Sequence, residues 1–177
     1  NVPIYQGIEE QALQAGVGCW PGTSLPTGSP STHCVLTAHN GLVRAKMFTD
    51  LDQLVEGDTF SLSILDRVLT YEVDQILVTE PDEVDALQIV EGQDYVTLYT
   101  CTPYGVNTHR LLVRGHRIET PENVNLGNGA VDIIRTQSGM PVLITLAVVG
   151  LLILLFRLWR IFRARTNKQQ TYELLRG

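Results

Sequence analysis

Alternation of apolar and polar positions dominates the first two thirds of the chain. The runs "THCVLTAH" (32–39), "TFSLSIL" (59–65), "VLTYEVDQILVTE" (68–80), "YVTLYTC" (95–101) and "HRLLVRGHRI" (109–118) are rich in Val, Ile, Leu, Thr and Tyr, and Gly, Pro and Asp separate them. That pattern predicts half-buried strands, with "VGCW" (17–20) as a sixth, shorter one. Helical spacing is confined to "IEEQALQAG" (8–16), which Gly16 would terminate, and "KMFTDLDQLVEGD" (46–58), a helix of as little as one turn that ends at Gly57. A further short turn is expected in "EPDEVDAL" (80–87). Many short strands with few helices predict a mainly β domain, a closed barrel or a sandwich. Residues 119–139 open with "ETPENVNLGNG", a polar Gly/Asn/Pro stretch expected to be a linker.

The alternation stops at Met140. "MPVLITLAVVGLLILLF" (140–156) carries no charge. As a helix its 17 residues would span about 25 Å, just under the roughly 30 Å hydrocarbon layer of a bilayer. Leu158, Trp159, Ile161 and Phe162 extend the apolar face, and Arg157 and Arg160 can snorkel to headgroups. A transmembrane helix over 140–162 is expected, against the alternative of a buried core helix, with 163–177 as a basic tail.

Charge supports the division. The chain's formal net charge is -6, from 13 Lys+Arg and 19 Asp+Glu, which gives no reason to expect a nucleic-acid partner. Arg157, Arg160, Arg163, Arg165, Lys168 and Arg176 all lie in the tail, with only Glu173 against them. The body is left strongly acidic. By the positive-inside rule the tail is cytoplasmic and residues 1–139 are outside, in contact with the outer face of the lipid. "NVPIYQG" has neither an initiator Met nor a basic leader, so a truncated or processed chain is expected.

An exterior location permits disulfides. The chain has three cysteines, Cys19, Cys34 and Cys101, so at most one pair forms within it. Cys19 and Cys34 sit on neighbouring strand candidates joined by a Pro/Gly/Ser-rich loop. They are either a disulfide or two separate buried thiols. Cys101 is then the thiol left over. A thiol nucleophile needs a proton shuttle and a donor for the oxyanion. His39 closes one strand just before an Asn-Gly turn, and Arg110 opens the strand after the "TPYGVNT" loop, so both could face a groove with Cys101. On spacing alone His109 competes with His39, and each of these residues could equally be structural. Glu80, Asp82, Glu83 and Asp85 lack the ligand spacing of a calcium loop and are expected to be a solvated acidic loop, with no metal and no cofactor.

"TLYTCTPYGVNTHRLLVRGHRI" (97–118) resembles the signature of the sortases, Gram-positive transpeptidases with a TLxTC motif and a downstream Arg. "PIYQG", "GTSLPTG", "LTAHNGL", "AKMFTDLDQLVEGD" and "TYEVDQILVTEPDE" follow in the order of the class C, pilus-polymerising members, over about residues 2–118. The resemblance implies a sortase-type closed β-barrel with short helices over 1–118, followed by the C-terminal transmembrane helix. It implies Cys101 as nucleophile, His39 as general acid/base and Arg110 as oxyanion donor, with His109 on the opposite side of its strand. Thr100 and the loop residues Glu80, Pro81 and Asp82 are implied to bind substrate. The implied reaction is cleavage of an LPxTG-like sorting signal through a thioacyl-enzyme, which a Lys amine of a pilin subunit resolves. The alternatives are a housekeeping sortase that anchors surface proteins to the wall, and a non-catalytic membrane-tethered binding barrel. The chain departs from class C in having Cys19 where His is common, a Cys at position 34, Asn40 where Arg is common, and no Asp-Pro-aromatic lid motif.

Overall fold

The computed structural model describes residues 2–41, 45–121 and, for the course of the backbone, 130–134. The chain divides into two compact units, Asn1–Gln137 and Ser138–Gly177. The second unit, with the transmembrane helix and tail expected for 140–177, lies outside the described residues. Among the described residues no helix is long and apolar enough to cross a membrane.

Eight strands account for most of the first unit: β1 (Val2–Gln6), β2 (Val17–Cys19), β3 (Thr32–Thr37), β4 (Thr59–Ile64), β5 (Arg67–Thr79), β6 (Asp94–Thr102), β7 (His109–Ile118) and β8 (Ala130–Ile134). One helix, α1 (Glu10–Ala15), and two single 3-10 turns complete it. The sheet runs β1-β2-β3-β6-β7-β5-β4-β8 and closes, because β8 pairs with both β4 and β1. All pairs are antiparallel except β1–β2 and β3–β6. The mainly β fold follows from the alternation. Leu36, Val96, Leu98, Leu111 and Val113 fill the interior with Phe60, Leu62, Leu69 and Tyr71, each residue two along from the next on its strand. Phe60 and Tyr71 stack at 5.6 Å between ring centroids.

The six predicted strands are present, and three local differences have physical causes. Leu65, expected to end a strand, is the left-handed residue (φ 57°) of the two-residue turn between β4 and β5, and it is exposed. The one-turn helix expected within 46–58 is a 3-10 turn, Leu51–Gln53. Its apolar anchors Phe48, Leu51 and Leu54 are buried at a spacing of three, which suits a three-residue turn better than an α-helix. Strands β1 and β8 escape the alternation rule because they are short: β1 contains Pro3, and β8 falls within the stretch expected to be a linker.

Close approach fixes one glycine. A Cβ at Gly115 of β7 would come within 2.7 Å of Phe60 Cε1 and 2.9 Å of Tyr71 Cβ. Gly115→Ala is therefore expected to destabilise the barrel by about 1–3 kcal/mol through overpacking. Combining it with Phe60→Leu should return part of that loss. Urea unfolding of the single and double variants measures both, and additive losses would show that the ring is not what Gly115 makes room for.

Candidate functional site

The pleat of three adjacent strands builds the site. In the parallel pair β3–β6, Val35 lies beside Thr97 and Thr37 beside Tyr99, so extending the register by two residues brings His39 to the level of Cys101. In the antiparallel pair β6–β7, Cys101 lies directly opposite Arg110. On the next strand, β5, Thr79 lies opposite Arg110. Residues opposite one another on neighbouring strands share a face, and strands lie about 4.8 Å apart. His39, Cys101, Arg110 and Thr79 thus form one row on the outer face at the barrel's end. The structure brings together the three residues expected to carry chemistry.

Hydrogen bonds hold each member in place. Beyond β3, the Ala38 N–H donates to the Tyr99 carbonyl (3.3 Å) and the Ala38 carbonyl accepts from Thr100 Oγ1 (2.8 Å). The His39 carbonyl accepts from the Phe48 N–H (3.2 Å). Asn40 Nδ2 then donates to the carbonyl of Cys101 itself (3.0 Å). Gly41, in the left-handed region at φ 86°, lies against Tyr104, whose Cε2 a Cβ there would approach to 2.5 Å. The turn after His39 and the turn after Cys101 are therefore packed on each other. Arg110 Nη1 donates to the Asn107 and His109 carbonyls (3.1 and 2.9 Å), which fixes the guanidinium at the strand end. Burial pushes the Tyr99 phenol above its ordinary pKa, and the Arg110 guanidinium beside it pulls the other way.

Three buried polar atoms at this end have no hydrogen-bond partner among the described residues: His39 Nε2, Asn40 Oδ1 and Thr79 Oγ1. Buried polar atoms are nearly always paired. Here they cluster beside the thiol, where a bound peptide's amides and carbonyls would pair with them.

Below the row the same face turns apolar. Val35, Tyr99 and Leu112 are buried together, and Trp20, Leu77, Ala86 and Leu87 pack on them. Trp20 meets Tyr99 edge-on at 4.9 Å between centroids. Ala86 and Leu87 come from the second 3-10 turn (Asp85–Leu87) in the β5–β6 connection. The result is an apolar floor on three strands, itself covered by Trp20, Leu77, Ala86 and Leu87. The sequence reasoning missed this floor. The available signal was the middle Tyr of "TLYTC", which alternation places on the same face as Cys101.

Other expectations divide. Thr100 is on the opposite face, 2% exposed, and donates to Ala38. It holds the His39 segment and does not line the groove, which corrects its expected contact with substrate. Glu80 and Asp82 are exposed and Pro81 is half-buried at the start of the β5–β6 loop. Glu80 Oε1 lies 3.3 Å from Nε2 of His109. His109 therefore pairs with the loop, on the other side of its strand from Arg110, and no longer competes with His39. Among the described residues no group of three or more His, Cys, Asp or Glu side chains is placed to hold a metal.

Cys19 and Cys34, expected either as a disulfide or as two separate buried thiols, lie as thiols with Sγ atoms 3.8 Å apart. The Cys34 S–H favours a thiolate at Cys19, bringing it down to about 7. Cys34 is pushed up by giving that hydrogen bond and by burial. Cys19, Trp20, Gln6 and Thr23 line a cavity of about 530 Å³.

A model of the sortase domain matches residues 1–118. The crystal structure of sortase C1 from Streptococcus suis is similar with a TM-score of 0.67 at 56% identity, covering 68% of this chain and 68% of that one. Sortase C of Streptococcus pneumoniae gives 0.66 at 51%, covering 67% of this chain and 63% of that one. Sortase SrtE1 of Streptomyces coelicolor is 30% identical over 131 residues, 67% of this chain and 37% of that protein, so this chain spans little more than a third of that relative's length. With a matched domain and the His39, Cys101 and Arg110 row on one face, the chain belongs to the sortase family.

Proposed function

We propose that the protein is a cysteine transpeptidase that joins pilin subunits. The observation that carries this reading is the register that sets Cys101 opposite Arg110 on β6 and β7, with His39 two residues past Thr37, the residue of β3 beside Tyr99. The similarity to class C sortases, among them a pneumococcal enzyme described in terms of pilin substrate specificity, supports the choice of substrate.

The chemistry follows from the row. The Cys101 thiolate attacks the Thr carbonyl carbon of the Thr-Gly bond in an LPxTG-like signal, whose Leu-Pro portion lies against the Trp20 and Leu87 side chains that cover Val35, Tyr99 and Leu112. Arg110 donates to the oxygen as it becomes an oxyanion. The C–N bond then breaks and His39 gives its proton to the departing amine. A thioester remains on Cys101. A Lys ε-amine of the next subunit attacks it, passes its proton to His39, and leaves an isopeptide bond and the free thiolate. Glu80, Pro81 and Asp82 border the loop that forms one wall of the groove, which is their part in binding substrate. Convergence of three reactive side chains on an apolar groove disfavours the non-catalytic barrel.

The domain works outside the cell, held by a membrane helix over 140–162 with the basic tail inside, as the charge asymmetry requires. In that oxidising exterior the neighbouring Cys19 and Cys34 thiols close to a disulfide by exchange with an external disulfide, which is reduced to two thiols.

Incubation with an LPxTG-type peptide is expected to give a covalent adduct on Cys101 by mass spectrometry, absent in Cys101→Ala. Arg110→Lys should lower turnover by about 100-fold, since a point charge cannot replace a planar fork. An undiminished adduct in Cys101→Ala would overturn the assignment. Adding pilins with an acceptor lysine should give an isopeptide-linked ladder. A single transfer to a wall-precursor amine, without a ladder, would select the anchoring alternative. On intact cells, a membrane-impermeant maleimide is expected to label Cys101 alone. Labelling that appears only after permeabilisation would place the barrel inside.

A further inference from the structure

His33 takes no part in the chemistry above, yet it is the most tightly held titratable side chain near the groove. It is 1% exposed. Its Nδ1 lies 2.9 Å from the Gln88 carbonyl and its Nε2 lies 2.7 Å from Thr97 Oγ1. A carbonyl only accepts, so Nδ1 carries the proton and Nε2 accepts from the Thr97 hydroxyl. Burial lowers the pKa of the ring from 6.5, which keeps this neutral tautomer at neutral pH. A buried imidazole with both nitrogens used is usually structural. What matters here is what the two bonds join.

Gln88 follows the 3-10 turn that supplies Ala86 and Leu87, one wall of the groove. Thr97 is on β6, on the face that carries Tyr99 and Cys101. The His33 side chain therefore ties the wall loop to the strand of the nucleophile. Its backbone ties the other wall. Its N–H donates to Ser24 Oγ (3.1 Å) and its carbonyl accepts from the Ser24 N–H (3.0 Å), in the loop that follows Trp20. Both walls meet at this residue, one at its side chain and the other at its main chain. Two further bonds anchor the far end of the wall loop to the same segment, Gly92 N–H to Ser31 Oγ and Thr32 N–H to the Gln93 carbonyl. Among the described residues, the side chains of 80–87 have no such tether apart from the exposed Glu80–His109 pair. Ala86 and Leu87 thus depend on packing and on the Gln88 bond beside them.

We infer that His33 is a positioning residue for substrate specificity: its side chain latches the 85–90 segment over the buried floor of Val35, Tyr99 and Leu112 and so sets where that segment stands against the apolar part of the sorting peptide. This rests on the transpeptidase reading for its substrate, and the latch itself is a statement about the free protein. Losing it opens the wall and leaves the row of His39, Cys101 and Arg110 intact, because those residues are held by separate bonds.

The test uses two variants of the full chain. In His33→Asn the amide nitrogen takes the place of Nδ1 and keeps a donor for Gln88. His33→Phe keeps the ring volume and removes both bonds. Hydrogen exchange without substrate should show amides 86–90 exchanging roughly tenfold faster in His33→Phe than in the unaltered protein, with His33→Asn between them. For peptide cleavage, KM should rise roughly tenfold in His33→Phe with kcat within about twofold, and His33→Asn should recover part of the loss. Unchanged exchange at 86–90 in a folded His33→Phe protein would overturn the latch even if the protein proved to have no peptidase activity. Faster exchange with kcat lowered and KM unchanged would overturn the specificity role. Equal behaviour of the two variants would show that the Gln88 bond is not the operative contact.

Discussion

The position of β6 between a parallel and an antiparallel neighbour is the constraint on which everything else depends. A strand offers its side chains alternately to two faces, and a one-residue slip would turn every residue of β6 over. The interior Val96, Leu98 and Thr100 would then exchange places with Thr97, Tyr99 and Cys101. The core resists that slip, since Val96 and Leu98 are wholly buried among apolar neighbours. Hydrophobic burial thus fixes the chemical face as well as the inner one. Cys101 faces the groove because its neighbours on β6 must face the core.

Positioning is divided between the two faces. Thr100, inside, holds Ala38 and thereby the His39 segment. Asn40 reaches back to the Cys101 carbonyl, and Tyr104 lies on Gly41. Backbone and side-chain bonds of about 3 Å hold the row from behind, while His39 Nε2 and Thr79 Oγ1 in it have no partner among the described residues. Such a site is organised before substrate arrives, and binding has little ordering entropy to overcome at the reacting groups. Lower on the same face, Arg114 makes a bidentate pair with Asp74 (3.0 Å each) and lies 4.3 Å over the Tyr95 ring, which stiffens the floor beneath His33.

The long strands were legible because one face of each is in the core, and alternation reports that directly. Cys101, His39 and Arg110 could be named from strand ends and motif, whereas their convergence required the parallel β3–β6 register, which no local pattern encodes. The single turn in 46–58 was legible because Phe48, Leu51 and Leu54, at a spacing of three, all reach the core. The role of Thr100 was misjudged for want of one parity argument: it is adjacent to Cys101 and therefore faces away from it. Trp20, Leu87 and His33 come from loops and a strand start distant in sequence, so the groove walls had no signature. Strands β1 and β8 are short and carry little periodicity, and only their pairing across the seam defines them.

The parallel pairing of β3 with β6 has a consequence in time. Parallel neighbours cannot be joined by a tight turn, and here the crossover contains β4, β5 and the wall loop. His39 and Cys101 are separated in sequence by β4, β5 and most of β6, and Arg110 lies beyond both. A chain emerging from synthesis therefore carries Cys101 well after His39 and Arg110 later still. Contacts of such long sequence separation form slowly. Cys101 is without Arg110 opposite it until β7 has been made and paired, so the order of the strands delays assembly of the row until the protein has folded.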